Sequence, residues 1–214
     1  MLAALILDFD GLILDTETPL LDSWERVHAD HGLLYDRAKG HNIIGHSDIP
    51  YDPWASFSDG HDRDKLEAQF EQIKQEIVLQ QPILPGIIDL LNAAERKSIR
   101  LGIASNSGHG HVEGHLERLG LRERFEVITC RDDVVNPKPA PDVYQLACAR
   151  LGIQAGAAVA FEDSVPGHVA AHRAGLSVVV VPNPSTRQYE FGHAHQRLDS
   201  MAEFDLEAFI ASAV

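Results

Sequence analysis

Apolar positions in this chain gather into short unbroken runs separated by longer periodic stretches. The runs are Leu2–Leu7, Ile99–Ala104, Glu126–Cys130, Ala157–Phe161 and Leu176–Val181, each bounded by turn or polar residues. Continuous apolar runs of this length suit strands buried on both faces of a parallel sheet. Between the later runs the spacing changes to that of a helix. Ile87 to Lys97 carries apolar residues at Ile87, Leu90, Leu91 and Ala94, and His111 to Leu119, Ala140 to Leu151 and Val165 to Ala174 also read as helices. Strands alternating with helices predict an α/β fold built on a doubly wound, Rossmann-like parallel sheet.

One stretch breaks the alternation. From Thr16 to Pro82 there are helical patterns, at Leu20 to His31 and Asp64 to Gln80, but no strand pattern. A structureless loop of that length is unusual in a compact domain. The expectation is therefore a small helical cap domain, residues 16–82, inserted after the first strand of a core made of residues 1–15 and 83–214. Pro82 and the Pro85-Gly86 pair mark the return.

The 214 residues are 44% hydrophobic and 23% charged, ordinary for a soluble globule. The net charge of -14 argues against a nucleic-acid polymer or an anionic membrane as partner, since no basic stripe exists to meet phosphates. An anionic substrate would then need positive charge supplied locally. Cys130 and Cys148 form no disulfide framework or ligand spacing, so a reducing cytoplasm is the expected setting. The opening apolar run is too short to span a membrane and lacks the basic flank of a signal peptide. No large apolar interface is marked, and a monomer is the default.

Ligands of open α/β sheets bind at the carboxyl ends of the strands. After the first run come Asp8-Phe9-Asp10-Gly11, and after the second Ser105 and Asn106. Downstream of the third lies Lys138, and after the fourth come Glu162 and Asp163. Asp8 and Asp10 can serve one site only if the chain bends between them, which Gly11 permits. Crowded carboxylates call for a hard cation with oxygen ligands, and Mg²⁺ takes one or two carboxylates together with phosphate oxygens and water. Asp8 and Asp163 are the direct candidates. Ser105 can donate to a phosphoryl oxygen, and Lys138 brings the local positive charge. Singly, each of these residues is as well explained as a helix cap, a turn former or a solvated side chain. Their order and placement together are not.

These motifs resemble the haloacid dehalogenase superfamily of phosphohydrolases, in the branch of β-phosphoglucomutase and the sugar phosphatases. They run Asp8-Phe9-Asp10-Gly11-Leu12-Ile13-Leu14-Asp15-Thr16-Glu17, Ser105-Asn106-Ser107, Lys138-Pro139-Ala140-Pro141-Asp142, and Phe161-Glu162-Asp163-Ser164 with Gly167 and Ala174-Gly175 beyond. The resemblance implies that Asp8 attacks phosphorus to form an aspartyl-phosphate. Asp10 would protonate the leaving oxygen and later take a proton from water, and its backbone carbonyl would bind metal. Ser105 and Asn106 would contact substrate, and Lys138 would offset the charge of nucleophile and phosphate. Asp163 would bind Mg²⁺, with Glu162 as a ligand directly or through water. The superfamily's dehalogenases lack the second aspartate, so Asp10 argues for phosphoryl transfer.

The substrate is then a small phosphorylated metabolite, and simple monoester hydrolysis is the expected reaction. A phosphosugar mutase would carry a cap arginine where Ile44-Gly45-His46-Ser47-Asp48 stands, and a histidine where Leu20 stands. A phosphonate hydrolase would need an activated cap lysine, and nothing marks Lys39, Lys65 or Lys74 as one. A non-catalytic binding module would have no need of the intact acids. Among the 12 histidines, His111 and His115 share a helix face near His109. They read as solvated surface or as a transition-metal pair lacking a third ligand. His41, His46 and His61 lie in the expected cap, where one of them can meet substrate. Trp24 and Trp54 read as packing residues, and Pro182-Asn183-Pro184-Ser185-Thr186 as a turn at the active edge.

Overall fold

The computed structural model describes residues 2–41, 51–58 and 60–212. The stretch Ile44 to Asp48, with His46, lies outside the described residues, as does the side chain of His41. Each apolar run forms a strand, the fourth extending one residue beyond its run: β1 (Ala4–Leu7), β2 (Arg100–Ala104), β3 (Val127–Thr129), β4 (Ala158–Glu162) and β5 (Ser177–Val180). They pair in parallel in the order β3-β2-β1-β4-β5, and a further strand, β6 (Gln196–Arg197), adds beyond β5. β6 has no apolar run to announce it. Its two residues are exposed, and it exists through its backbone pairing with Val179 and Val180.

Alternation along the strands divides the core in two. Leu5, Leu7, Leu101, Ile103, Val159 and Phe161 pack with Ile87 and Leu91 of α4 (Ile87–Arg96), Val112 and Leu116 of α5 (His109–Arg118), and Leu206 of α8 (Leu206–Ser212). Ala4, Ile6, Ala158, Ala160, Val178 and Val180 turn the other way. They meet Val143, Tyr144 and Ala147 of α6 (Asp142–Arg150) and Ala170 and Ala171 of α7 (Val165–Arg173). Both faces are covered, which is why the strands read as unbroken apolar runs. Burying each large aliphatic or aromatic side chain contributes roughly 1.5–3 kcal/mol.

Between β1 and α4 the described chain forms α1 (Glu17–Asp30), α2 (Arg37–His41) and α3 (Arg63–Gln80). α1 begins three residues before Leu20 because the Asp15 carboxylate accepts from the Thr18 amide at 2.9 Å, satisfying one of the free donors of the first turn. Leu21, Trp24 and Val27 pack with Leu66, Phe70, Ile73 and Trp54 in a third cluster separate from the two on the faces of the sheet. Trp24 stacks on Phe70 with ring centroids 5.2 Å apart. Leu14 and Ile83 meet in an antiparallel bridge where the chain leaves the sheet and comes back.

The chain proceeds from β1 to β2 and β3 on one side, then crosses to β4 on the other. The carboxyl ends of β1 and β4 therefore border the switch point, where open α/β sheets form their crevice. Among the described residues no helix is long and apolar enough to cross a membrane.

Candidate active site

β1 and β4 are in register with Leu7 beside Phe161, so the next residues, Asp8 and Glu162, arrive side by side, with Asp163 following. A carboxylate oxygen from each of Asp8, Glu162 and Asp163 lies within 4.8 Å of the others, and all three residues are buried. Gly11 adopts φ +73°, and a Cβ there would overlap the Asp163 carboxylate and the Asn183 amide. Gly11, expected to permit a bend in this segment, is thus also the site of a close approach that only glycine allows.

Lys138 is buried among these acids. Its Nζ lies 2.6 Å from Glu162 Oε1 and 3.0 Å from Asp8 Oδ1. Tyr144 from α6 donates to the same Glu162 oxygen at 2.5 Å, and Ser164 Oγ donates to Glu162 Oε2 at 3.2 Å. Glu162 is therefore first a counter-charge that holds Lys138 beside Asp8. Burial lowers the Lys138 pKa, but Asp8 and Glu162 outweigh it and raise the pKa overall, so the ammonium stays charged. Asp8 is pushed up to about 8 by burial and then by Glu162, with Lys138 opposing. Asp163 is raised for the same reasons, burial first and then Asp8 and Glu162.

One oxygen of Asp163 is engaged: Oδ2 accepts from Asn183 Nδ2 at 2.7 Å. Its Oδ1 is buried with no hydrogen-bond partner. A buried carboxylate oxygen left unpaired is costly, and a hard divalent cation is the chemistry that satisfies it. The donor set of Asp8 and Asp163 oxygens fits Mg²⁺. Asn183 belongs to the stretch expected to be only a turn. Its side chain is what orients Asp163, and its Oδ1 in turn accepts from the Ser185 and Thr186 amides.

Asp10 stands apart from the three-acid group. Thr16 Oγ1 and His111 Nε2 reach its Oδ1, each at 2.8 Å, and Ser107 Oγ donates to its Oδ2 at 2.6 Å. Ser105 Oγ is 3.5 Å from the same Oδ2. Thr16 stands at the N-cap of α1 but its hydroxyl serves Asp10 instead of the helix. Burial pulls the Asp10 pKa up, but the His111 hydrogen bond and charge, with Ser107 and Thr16, carry it down to about 2. These donors favour the carboxylate form of the side chain.

Two residues make contacts beyond those expected. His111 is exposed on one side, and it also lines the cavity and contacts Asp10, a partner the sequence did not suggest. Asn106 also lines the cavity, but its amide holds the backbone of Lys138, Oδ1 accepting from Lys138 N at 2.8 Å and Nδ2 donating to Lys138 O at 3.3 Å. That two-way bond positions Lys138 and leaves the amide less free for substrate. Ser105 is buried, lines the cavity, and accepts from the Ser107 amide at 3.0 Å.

The cavity, about 790 Å³, lies between this edge of the sheet and the helices α1 and α3. Asp8, Asp10, Ser105, Lys138 and Asp163 form its floor, and Leu20, Trp24, Glu71, Gln72, Lys74 and Gln75 its opposite wall. His61 is exposed and is not among the lining residues, whereas His115 is. Lys74 is ion-paired with Glu71 at 2.7 Å, and Lys39 and Lys65 are largely exposed.

A buried lysine among three buried acids at the switch point of a parallel sheet is the arrangement of a haloacid dehalogenase-type hydrolase. The chain matches the model of the family described as haloacid dehalogenase-like hydrolase over residues 5–181, and it belongs to that family. It is 37% identical over 210 residues to the Bacillus subtilis protein named "Putative phosphatase YhcW", covering 96% of this chain and 95% of that one. To Hexitol phosphatase B of Escherichia coli O157:H7 it is 30% identical over 210 residues, covering 94% and 93%. The crystal structure of CbbY from Rhodobacter sphaeroides in complex with phosphate superimposes with a TM-score of 0.75 at 31% identity, covering 95% of this chain and 96% of that one. These relatives place the chain among the phosphoric monoester hydrolases of the superfamily, in its sugar phosphatase branch.

Proposed function

We propose that this chain is a Mg²⁺-dependent phosphatase that hydrolyses a small phosphate monoester, a sugar or polyol phosphate, through an aspartyl-phosphate on Asp8. The observation that carries the reading is the floor of the cavity. The Asp8 carboxylate lies 3.0 Å from the buried Lys138 ammonium and beside Asp163, whose Oδ1 has no partner.

Asp8, Asp163 and the Asp10 backbone carbonyl would hold Mg²⁺, with Glu162 acting through water because Lys138 and Tyr144 already occupy its Oε1. Bound there, the ion neutralises charge on the phosphoryl oxygens. Lys138 and the Ser105 hydroxyl orient the phosphoryl group towards Asp8. An Asp8 oxygen attacks phosphorus, the ester P–O bond breaks, and the ester oxygen leaves with its electron pair and takes a proton from the Asp10 carboxyl. Water then attacks the phosphorus of the aspartyl-phosphate, giving one proton to Asp10 and freeing phosphate and Asp8. The donors around Asp10 suit its carboxylate form, the acceptor in this second half. In the first half the protonated carboxyl must exchange one of those donors for the ester oxygen.

Residues 16–82 act as the cap. The cavity volume is that of a small-molecule site, and α3 lines it with Gln72 and Gln75, which suit hydroxyls, and with Lys74, whose ammonium is paired with Glu71. The hexitol specificity in the name of one relative agrees with a polyol ester. Leu20 at the cavity wall offers no hydrogen bond of the kind a mutase would use there. We propose a monomer in the cytoplasm, whose partner is its metabolite substrate. The free, buried Cys130 and Cys148 suit a reducing compartment.

Phosphate release from a panel of sugar, polyol and nucleoside monophosphates, with Mg²⁺ and with chelator, tests the reading. Release is expected to require both the metal and Asp8, so Asp8→Asn abolishes it. A folded, metal-replete protein that releases phosphate from none of the esters would overturn it.

A further inference from the structure

Asp10 has an unusually complete set of partners, and one of them comes from outside the recognised motifs. Thr16 and Ser107 lie within those motifs, whereas His111 does not. His111 belongs to the first turn of α5, and its Nε2 sits 2.8 Å from Asp10 Oδ1. The ring is fixed on two further sides, edge-on to Phe9 at 5.9 Å and to His115 at 4.8 Å. From the α3 side, Lys74 and Glu71 also act on it electrostatically. The imidazole is thus partly exposed, with its ring held between the Asp10 carboxylate and the edges of Phe9 and His115 at the cavity.

We propose that His111 is a positioning residue for Asp10: through the Nε2 to Oδ1 hydrogen bond it fixes the carboxyl in the rotamer from which it serves the ester oxygen. This rests on the phosphatase reading above. Thr16 reaches the same oxygen and Ser107 the other, so without His111 the carboxyl keeps partners but loses one of the donors that define its direction. A misplacement of about 1 Å in a reacting group can cost on the order of 100-fold in rate. The cost falls where Asp10 is needed most. An alkyl ester has a poor leaving group and depends on the proton that Asp10 delivers, whereas a nitrophenyl ester leaves with little help.

The test compares kcat/KM, which reports the steps through phosphoryl transfer to Asp8, for an alkyl phosphate and for p-nitrophenyl phosphate. His111→Ala is expected to lose roughly 10- to 100-fold on the alkyl ester, with the loss in kcat rather than KM, and about tenfold less on the aryl ester. His111→Gln, whose amide nitrogen can occupy the place of Nε2, is expected to recover most of the difference. Equal losses on both esters, a loss confined to KM, or a gain on the alkyl ester would each overturn the proposal. So would failure of the glutamine to do better than alanine. A crystal structure of His111→Ala gives a readout independent of activity: the Asp10 carboxyl is expected to turn away from its wild-type orientation about the donors that remain, and an unmoved carboxyl counts against positioning. If the wild-type protein releases no phosphate, the phosphatase reading fails, and the structure of the variant still decides whether His111 places Asp10.

Discussion

Withdrawing divalent cation should make this protein more sensitive to pH, and returning it should remove the part of that sensitivity that Asp8 and Asp163 supply. Asp8, Glu162 and Asp163 crowd around one ammonium, that of Lys138. Without metal, Asp8 sits at about 8 against an ordinary 3.8. A carboxyl raised by folding holds its proton more tightly in the folded state. The stability it contributes is complete below the unfolded pKa and is lost as pH rises through the folded one. At about 1.4 kcal/mol per unit, Asp8 alone removes about 2 kcal/mol between about pH 6 and about pH 8. Asp163 and His111, both raised, add in the same direction. Asp10, lowered to about 2, has the opposite sign, but it acts only between that value and 3.8. Mg²⁺ binds the ionised carboxylates and adds about 2.7 kcal/mol at a hundredfold excess over its Kd. Urea unfolding at the two pH values, with chelator and with Mg²⁺, reads all of this. The chelated protein should lose stability on going to the higher pH, and Mg²⁺ should stabilise more there than at the lower. Equal stability of the chelated protein at both pH values, or no response to Mg²⁺ at the higher one, would refute the charge accounting.

Other predictions concern the support beneath the acids. A Cβ at Gly167 would overlap the Glu162 carboxylate, so Gly167→Ala should cost about 1–3 kcal/mol in chemical denaturation and lower phosphatase activity as Glu162 shifts from Lys138. An unchanged unfolding midpoint would mean that Glu162 has room to give way. Tyr144→Phe removes a fully buried hydrogen bond to a charged partner and should cost about 1.5–3 kcal/mol, and a loss of under about 0.5 kcal/mol would place the Glu162 charge on other donors.

Much of this molecule is legible in the chain itself. The apolar runs locate β1 to β5, because a strand covered on both faces must be apolar throughout, and the spacing in Ile87 to Lys97 marks α4. The acids that follow β1 and β4 mark the active edge, because residues just beyond parallel strands emerge at one end of the sheet. Such readings succeed where burial is written into neighbouring residues. β6 escaped them because two exposed residues joined only by backbone pairing leave no apolar pattern.

Tertiary structure alone decided the partners of the acids. His111 meets Asp10 across 101 positions of sequence, and Asn183 meets Asp163 across 20. Asn106 and Tyr144 reach Lys138 and Glu162 only because β2 and α6 flank the same crevice. No periodicity records such meetings. They also set the charge states: buried near each other, Asp8 is pushed up to about 8 and Asp10 down to about 2, although both are aspartates two residues apart in one motif. Residue type and order determined which groups stand at the sheet's edge. The cost of burying each charge, and the donors the fold brings to it, determined what each group can do there.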